Sequence, residues 1–241
     1  MDKLVRSFTH KRSRFLKTYF TLCLLVLAAF TSTGITAQDV KWDSTYRPEI
    51  YPLQVAVFRT AAHSKKDIVF LGNSITFWAN WTELLNSKHV KNRGIPGDIS
   101  FGVLDRLDEV IDGRPKKVFV LIGINDIARN IPDSVILQNY RLIIHRIKSG
   151  SPKTKIYFQT LLPVNPSFNR LTNHYKKDRI LNVNAGLKKI IAEEHVELID
   201  LYTAFADADN NLPAALTFDG VHINKAGYDR WVALLRRGKY L

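Results

Sequence analysis

Four short stretches of the chain contain side chains whose types and order could support chemistry. They read FLGNSIT (70–76), NRGIPGD (92–98), GIND (123–126) and DGVH (219–222). Taken singly, each has an ordinary structural interpretation: Ser74 suits a helix N-cap and Asn125 suits a turn. Asp219 and His222 suit a turn, a cap or half of a metal site. Together the stretches supply a hydroxyl, an amide, a carboxylate and an imidazole, which is the set that acyl transfer requires.

Acyl transfer predicts a role for each of these groups. A serine hydroxyl is a weak nucleophile unless a base removes its proton, and His222 is the histidine that the four stretches contain. Asp219 would accept a hydrogen bond from Nδ1–H of His222, so that Nε2 faces Ser74. The backbone N–H groups of Ser74 and Gly97 and the side-chain amide of Asn125 would donate to the oxyanion that forms on the attacked carbonyl.

The elements that must position these residues are predicted from hydrophobic spacing. Short β-branched runs alternate with longer amphipathic stretches from about residue 67 onward. The predicted strands span 67–72, 89–93, 116–123, 154–160 and 196–201, and the predicted helices lie near 77–86, 99–112, 133–149, 175–194 and 224–238. This alternation predicts an α/β fold, a doubly wound three-layer α/β/α sandwich around a central, mainly parallel five-stranded sheet. Such sheets bind ligands at the carboxyl ends of their strands, where we expect the four stretches to meet.

The N-terminal segment has the order of a secretory signal peptide. Six basic residues precede the apolar run YFTLCLLVLAAF, and small and polar residues ending in ITAQ follow it. We expect cleavage after Ala37, because a clean apolar run of about 13 residues is shorter than the roughly 20 needed to cross a bilayer. An uncleaved membrane anchor is the alternative. The expected organisation is a signal peptide at 1–37, an arm with one helix at 38–66 and a catalytic domain at 67–241.

The net charge and the cysteine content limit which cellular compartments and which binding partners the sequence predicts. Residues 1–37 hold six of the 35 basic and one of the 22 acidic residues, so removing them lowers the net charge from +13 to +8. The same step removes Cys23, and an exported chain without cysteine fits a bacterial periplasmic or secreted protein. After removal of the signal peptide we expect no stable membrane anchor. The basic residues are scattered, which favours a solvated surface first and acidic substrates second. We expect no nucleic-acid partner, since no basic-aromatic recognition motif is present.

The four stretches resemble the four signature blocks of the SGNH (GDSL-type) esterases and lipases, in order and over residues 67–222. The resemblance implies that Ser74 is the nucleophile, that His222 is the base and that Asp219 orients it. It also implies an oxyanion hole of Ser74, Gly97 and Asn125 in a flavodoxin-like sandwich. The resemblance implies no metal and no organic cofactor.

One position departs from the pattern of the family. Asn73 stands where the family usually has aspartate. The acid of the predicted triad comes from the last stretch, and asparagine keeps an acceptor oxygen. We therefore expect the turn to keep its geometry and to lose only a charge.

The substrate is predicted by the same resemblance. A compact exported chain with these blocks resembles bacterial carbohydrate de-acetylases and the platelet-activating-factor acetylhydrolase-like group, so our hypothesis is an acetylesterase acting on a small-molecule or glycan ester. The alternatives are a lysophospholipase or platelet-activating-factor acetylhydrolase-like lipid esterase, a non-catalytic glycan-binding module and a nucleotide binder on the same fold. Candidate substrate contacts are Trp78, Arg93, Asn165 and Phe168. For Trp78, and for Trp81, packing of the first helix on the sheet is the other interpretation.

Overall fold

The computed structural model describes residues 41–241. The predicted signal peptide at 1–37 lies outside the described residues. Within that range, none of the helices combines the length and the apolar character needed to cross a membrane.

A sheet of five parallel strands forms the centre of the molecule. The strands are β1 (Ile68–Gly72), β2 (Val90–Gly94), β3 (Lys117–Leu121), β4 (Lys155–Gln159) and β5 (Glu197–Ile199). Their order across the sheet is β2-β1-β3-β4-β5, and every neighbouring pair is parallel. After β1 the chain adds β2 on one side of β1, and it then crosses over to add β3 on the other side of β1. The predicted fold is confirmed, and it has a topological switch point between β1 and β3, where such sheets open a ligand crevice.

Helices and short 3₁₀ turns connect the strands. The helices are α1 (Tyr51–Thr60), α2 (Ser74–Phe77), α3 (Trp81–Leu85), α4 (Ser100–Asp105), α5 (Leu107–Gly113), α6 (Ile124–Ala128), α7 (Asp133–Gly150), α8 (Lys177–Glu194), α9 (Leu201–Phe205) and α10 (Lys225–Arg237). The 3₁₀ turns are Pro166–Phe168, Thr172–His174 and Ala214–Leu216.

The three layers follow from the alternation of side chains along the strands. Phe70 of β1 stacks on Trp81 of α3 and meets the edge of Trp231 of α10. Tyr157 of β4 lies on the same face as Phe70, because both rings stack on Phe119 of β3. Successive side chains of a strand point to opposite faces, so Phe158 lies on the other face of the sheet. On that opposite face Phe158 packs against α7.

Two predicted helices are each divided in the structure. The helix predicted near 77–86 is α2 followed by α3, which begins after Asn80, whose side chain accepts a hydrogen bond from the backbone N–H of Glu83. The helix predicted near 99–112 is interrupted at Arg106, whose side chain is fully buried. Both interruptions include a polar residue, Asn80 in one and Arg106 in the other, and apolar spacing alone does not reveal either of them.

The segment 41–66 packs on the sandwich through α1. Phe58 is buried against Ile95, which lies in the loop after β2. The Tyr51 hydroxyl donates to the carbonyl oxygen of Gly102 over 2.7 Å. These contacts place the segment beside the loop that contains the GIPGD stretch.

Candidate active site

Ser74 is the first residue of α2, directly beyond the carboxyl end of β1. Asn73 is the N-cap, because its Oδ1 accepts from the backbone N–H of Ile75 over 3.0 Å. Asn73 therefore caps the helix, and the Ser74 hydroxyl is not needed as a cap and can contact a ligand. The backbone N–H of Ser74, at the first helical position, has no partner within the helix.

Ser74, His222 and Asp219 form one hydrogen-bonded chain. The Ser74 Oγ lies 2.8 Å from Nε2 of His222, and Nδ1 of His222 lies 2.6 Å from Oδ2 of Asp219. The structure thus brings together three side chains that the sequence separates by up to 148 positions. Because a carboxylate only accepts, Nδ1 carries a proton and Nε2 presents its lone pair to the hydroxyl.

The short loop around Asp219 holds this carboxylate in place. Its Oδ1 accepts from the backbone N–H groups of Val221 and His222, at 2.9 and 2.8 Å. Burial of the carboxylate opposes its ionisation, but the hydrogen bonds from the His222 ring and these two N–H groups outweigh burial and hold the pKa of Asp219 below its usual range. Asp219 therefore carries its negative charge throughout the pH range in which histidine side chains ordinarily titrate.

Gly97 and Asn125 lie in the same cleft as Ser74. Gly97 has a φ of +78°, and a Cβ there would meet Pro48 at 3.3 Å, so glycine suits both the conformation and the close approach. Asn125, in α6, donates one N–H of its amide to the carbonyl oxygen of Asp98 over 2.9 Å. The second N–H of that amide is left for a ligand.

The cleft has a volume of about 780 Å³ and a wall rich in aromatic rings. Trp78 lines it with 59% of its surface exposed, and Trp42 and Tyr46 line it from the segment before α1. Arg129 and His174 are among the polar residues of the wall. Among residues 41–241, no group of three or more His, Cys, Asp or Glu side chains is arranged to hold a metal ion.

Three of the four predicted substrate contacts do not line the cleft. Arg93 is 5% exposed, and its Nε donates to the carboxylate of Glu109 over 3.0 Å. Its guanidinium group therefore forms a buried ion pair and does not face the cleft. Asn165 is also buried, where it donates to the carbonyl oxygen of Leu212. Phe168 lies in a 3₁₀ turn outside the cleft wall. The structure therefore does not bring these three residues to the cleft, and for Arg93 and Asn165 the reason is a buried partner that the sequence does not show.

The two tryptophans after Ser74 separate into different roles. Trp81 is 2% exposed and donates from Nε1 to the carbonyl oxygen of Thr76, so it packs α3 on the sheet. Trp78 lies at the cleft and packs edge-on against Phe77. The packing interpretation is correct for Trp81 and wrong for Trp78.

Several cleft residues have no role in the sequence prediction. His174 lies in the loop after β4, Arg129 directly follows α6, and Trp42 and Tyr46 come from the arm. A usable signal for His174 was its position at the end of a long loop that follows a strand of the sheet. For the arm, the only signal was an aromatic pair within the short stretch KWDSTY.

The arrangement as a whole suits acyl transfer. A hydroxyl in contact with an imidazole opens into a cleft that also holds the Gly97 backbone and a free amide N–H of Asn125. The imidazole can accept the hydroxyl proton, and the N–H groups can stabilise negative charge on an attacked oxygen.

Comparison with known proteins agrees with this chemistry. A model of the GDSL-like Lipase/Acylhydrolase family matches residues 70–230. Platelet-activating factor acetylhydrolase IB subunit alpha2 of Rattus norvegicus is 28% identical over 169 residues, which are 67% of this chain and 71% of the relative. A solved chain from Streptococcus pneumonia superposes with a TM-score of 0.71 and 28% identity, covering 78% of this chain and 92% of that chain. A GDSL-like lipase from Bacteroides thetaiotaomicron gives a TM-score of 0.68 and 25% identity, with 79% and 98% covered.

Proposed function

The chain belongs to the GDSL-like lipase/acylhydrolase family and is an ester hydrolase, and we propose that it removes short acyl groups, acetyl first among them, from carbohydrate. The observation that supports ester hydrolysis most directly is the chain of hydrogen bonds from Ser74 through His222 to Asp219, at 2.8 and 2.6 Å, which opens into the cleft.

The proposed reaction has two halves. Ser74 Oγ attacks the ester carbonyl while its proton passes to Nε2 of His222, and the oxyanion is stabilised by the N–H groups of Ser74, Gly97 and Asn125. The C–O bond to the alcohol then breaks, and the alcohol leaves with the proton from His222. Water attacks the acyl-serine with His222 as base, which releases the carboxylic acid and restores Ser74.

Two observations support the acyl and alcohol parts of the proposal. The rat relative is named an acetylhydrolase, which favours a short acyl group. Trp78 keeps more than half of its surface exposed beside the nucleophile, and Trp42 and Tyr46 join it, so the cleft offers flat apolar faces against which sugar rings can pack. Lys41, Asp43 and Arg129 add charged groups that suit a polar alcohol part.

The second candidate is a lipid esterase of the platelet-activating-factor acetylhydrolase type. The name of the rat relative favours it. Leu171, Ile124 and Val221 also give the cleft an apolar part. The two candidates share the acetyl group and the triad, and they differ in the alcohol that the aromatic wall receives.

Covalent labelling tests the catalytic proposal. A fluorophosphonate should label the folded wild type at Ser74 and leave the Ser74→Ala variant unlabelled, and that variant should lose p-nitrophenyl acetate hydrolysis by about 10³-fold or more. If Ser74 stays unlabelled in folded protein, the non-catalytic glycan-binding module becomes the better interpretation.

A substrate panel tests the alcohol part. We expect acetate release from acetylated xylan, pectin or sialic acid, and a steep fall in rate from acetyl to octanoyl esters. Trp78→Ala should raise KM for the acetylated glycan and leave p-nitrophenyl acetate turnover nearly unchanged, because only the larger substrate reaches the ring. Activity confined to platelet-activating factor or long-chain lysophospholipids would support the lipid esterase instead.

We also propose that the enzyme works outside the cytoplasm, on the basis of the signal peptide predicted at 1–37. Fractionation of cells that express the full chain should place the activity in the periplasm or the medium, with an N-terminus near Gln38. Activity retained with the cytoplasm would contradict this.

A further inference from the structure

His174 contacts the amide that the proposed mechanism places in the oxyanion hole. It ends the 3₁₀ turn Thr172–His174, within the long loop between β4 and α8. Its Nε2 lies 3.1 Å from Oδ1 of Asn125, and the ring is part of the cleft wall. Nothing in the acyl-transfer scheme uses this histidine directly.

The orientation of the Asn125 amide follows from its other partner. The carbonyl oxygen of Asp98 only accepts hydrogen bonds, and it lies 2.9 Å from one end of the amide, so that end is the NH₂ group. The oxygen end must then face His174. A hydrogen bond there requires a proton on Nε2 of His174, which makes the histidine the donor.

Holding both ends of the amide has a consequence for catalysis. An amide held only through its NH₂ group can turn about its terminal side-chain bond, and its second N–H then points in a range of directions. A donor on Oδ1 removes that freedom and polarises the amide, which strengthens its remaining N–H as a donor. Oxyanion stabilisation depends on donors that are aimed before the charge develops.

We propose that His174 is a positioning residue that holds the Asn125 amide in its oxyanion-binding orientation, an inference that rests on the proposed function. The second ring nitrogen, Nδ1, lies 3.2 Å from the carbonyl oxygen of Leu171, in the same loop. Both ring nitrogens therefore face groups other than the Ser74 hydroxyl, so His174 does not duplicate His222. Burial of the ring lowers the pKa of His174, against the opposing effect of the Leu171 carbonyl, and favours the neutral ring. A neutral ring with its proton on Nε2 donates to Asn125 alone, because Nδ1 then bears a lone pair and cannot donate to Leu171.

Two conservative variants separate the two edges of the ring. Glutamine places its NH₂ group near the position of Nε2, and asparagine places its NH₂ group near that of Nδ1. His174→Gln therefore keeps a donor for Asn125, whereas His174→Asn offers one only to Leu171. A residue that merely holds its own loop should be replaced better by asparagine.

Steady-state kinetics on p-nitrophenyl acetate provide the test. His174→Ala should lower kcat by about ten- to a hundredfold, less than the roughly 10²–10³-fold loss for removing an oxyanion donor outright, and should change KM by no more than about twofold. His174→Gln should recover most of kcat, and His174→Asn should not. His145→Ala is the matched control, because His145 pairs with Glu194 and lies outside the cleft wall, so its variant should behave as wild type.

A double-mutant cycle shows whether His174 acts through Asn125. In an Asn125→Ala background, His174→Ala should cause no further loss of kcat. An equal loss in both backgrounds, an effect on KM alone, or better rescue by asparagine than by glutamine would overturn the inference. Should His174→Ala melt at a much lower temperature, the comparison of the glutamine and asparagine variants decides.

The same experiment separates this inference from the proposed function. If wild type neither hydrolyses the ester nor takes the fluorophosphonate at Ser74, the proposed function fails. If wild type is active and His174→Ala matches it in kcat, only the role of His174 fails.

Discussion

At the scale of single residues, Asp219 combines a structural and a chemical task in its two oxygens. Oδ1 accepts from the backbone N–H groups of Val221 and His222, and Oδ2 accepts from the His222 ring. The first set of bonds shapes the loop, and the second sets the tautomer of His222. A substitution that changes one oxygen alone can therefore separate the two tasks.

Asp219→Asn should lower kcat by about 10³–10⁴-fold while keeping the fold. Asparagine retains Oδ1 for the backbone bonds and turns its NH₂ group toward Nδ1 of His222, so Nδ1 becomes the acceptor. The proton then sits on Nε2, which faces Ser74 as a donor and cannot act as its base. Hydrolysis of p-nitrophenyl acetate measures the loss, and a melting temperature near that of wild type confirms the fold. Retention of more than about a tenth of kcat would contradict this role.

Residue types and their order predict the chemistry better than they predict contacts. Ser74, His222 and Asp219 meet in space as the acyl-transfer hypothesis requires, although their catalysis stays a prediction. Arg93 turns to Glu109 in the interior because that carboxylate lies on a neighbouring helix, which sequence spacing does not show. His174 was missed because nothing local links it to Asn125, 49 positions away.

At the scale of elements, Arg106 braces two of the loops that form the site. It lies fully buried at the break between α4 and α5. Its Nε donates to Oδ2 of Asp98, and its Nη2 donates to the carbonyl oxygen of Gly72, each over 3.0 Å. The end of β1, which precedes Ser74, is thereby fixed to the loop that contains Gly97. Burial raises the pKa of Asp98 despite the adjacent guanidinium.

Arg106→Ala should lower the free energy of unfolding by about 3–5 kcal/mol, because it leaves the Asp98 carboxylate buried without its partner. Arg59→Ala is the matched control: Arg59 pairs with Asp108 at 3.1 Å on the surface, with about half of each side chain exposed. We expect the control to change stability by about 0–1 kcal/mol. Urea unfolding followed by circular dichroism measures both, and equal losses in the two variants would refute the bracing role.

The elements themselves were predicted well where burial dominates. β1 and β3 are continuous apolar runs because the parallel sheet covers both of their faces, so their ends lie within a few residues of the prediction. The helices predicted at 77–86 and 99–112 were less accurate, since each is divided at a polar residue. The break at Arg106 coincides with its contact to Asp98, which apolar periodicity does not reveal.

At the scale of the whole molecule, the cleft is assembled from parts that are distant in the chain. Trp42 and Tyr46 come from the arm, and His174 comes from the loop after β4. The topology alone predicts where the site must lie, because the switch point between β1 and β3 is a property of strand order. It does not predict which loops reach that point, since loop conformation depends on contacts outside the periodic elements.

A buried acid behind the site couples the stability of the whole molecule to pH. Asp126 is fully buried, and it accepts from the backbone N–H and the hydroxyl of Ser100. Asn139 donates in turn to the Ser100 hydroxyl over 2.8 Å, which extends the network into α7. Burial raises the pKa of Asp126 from 3.8 to about 6, against the opposing effect of the Ser100 hydrogen bonds.

Asp126→Asn should make the protein less sensitive to pH between about 4 and 6. In that window the folded wild type keeps a proton on Asp126 that the unfolded chain has already lost, so this group stabilises the fold less as pH rises. Asparagine does not titrate. The free energy of unfolding of the variant minus that of wild type should therefore increase by about 2–2.5 kcal/mol between pH 4 and pH 7, since a shift of one pKa unit corresponds to about 1.4 kcal/mol and the unfolded carboxyl is already partly ionised at pH 4. Urea unfolding at both pH values measures this difference; a constant difference would show that Asp126 ionises in the folded protein as readily as in the unfolded chain.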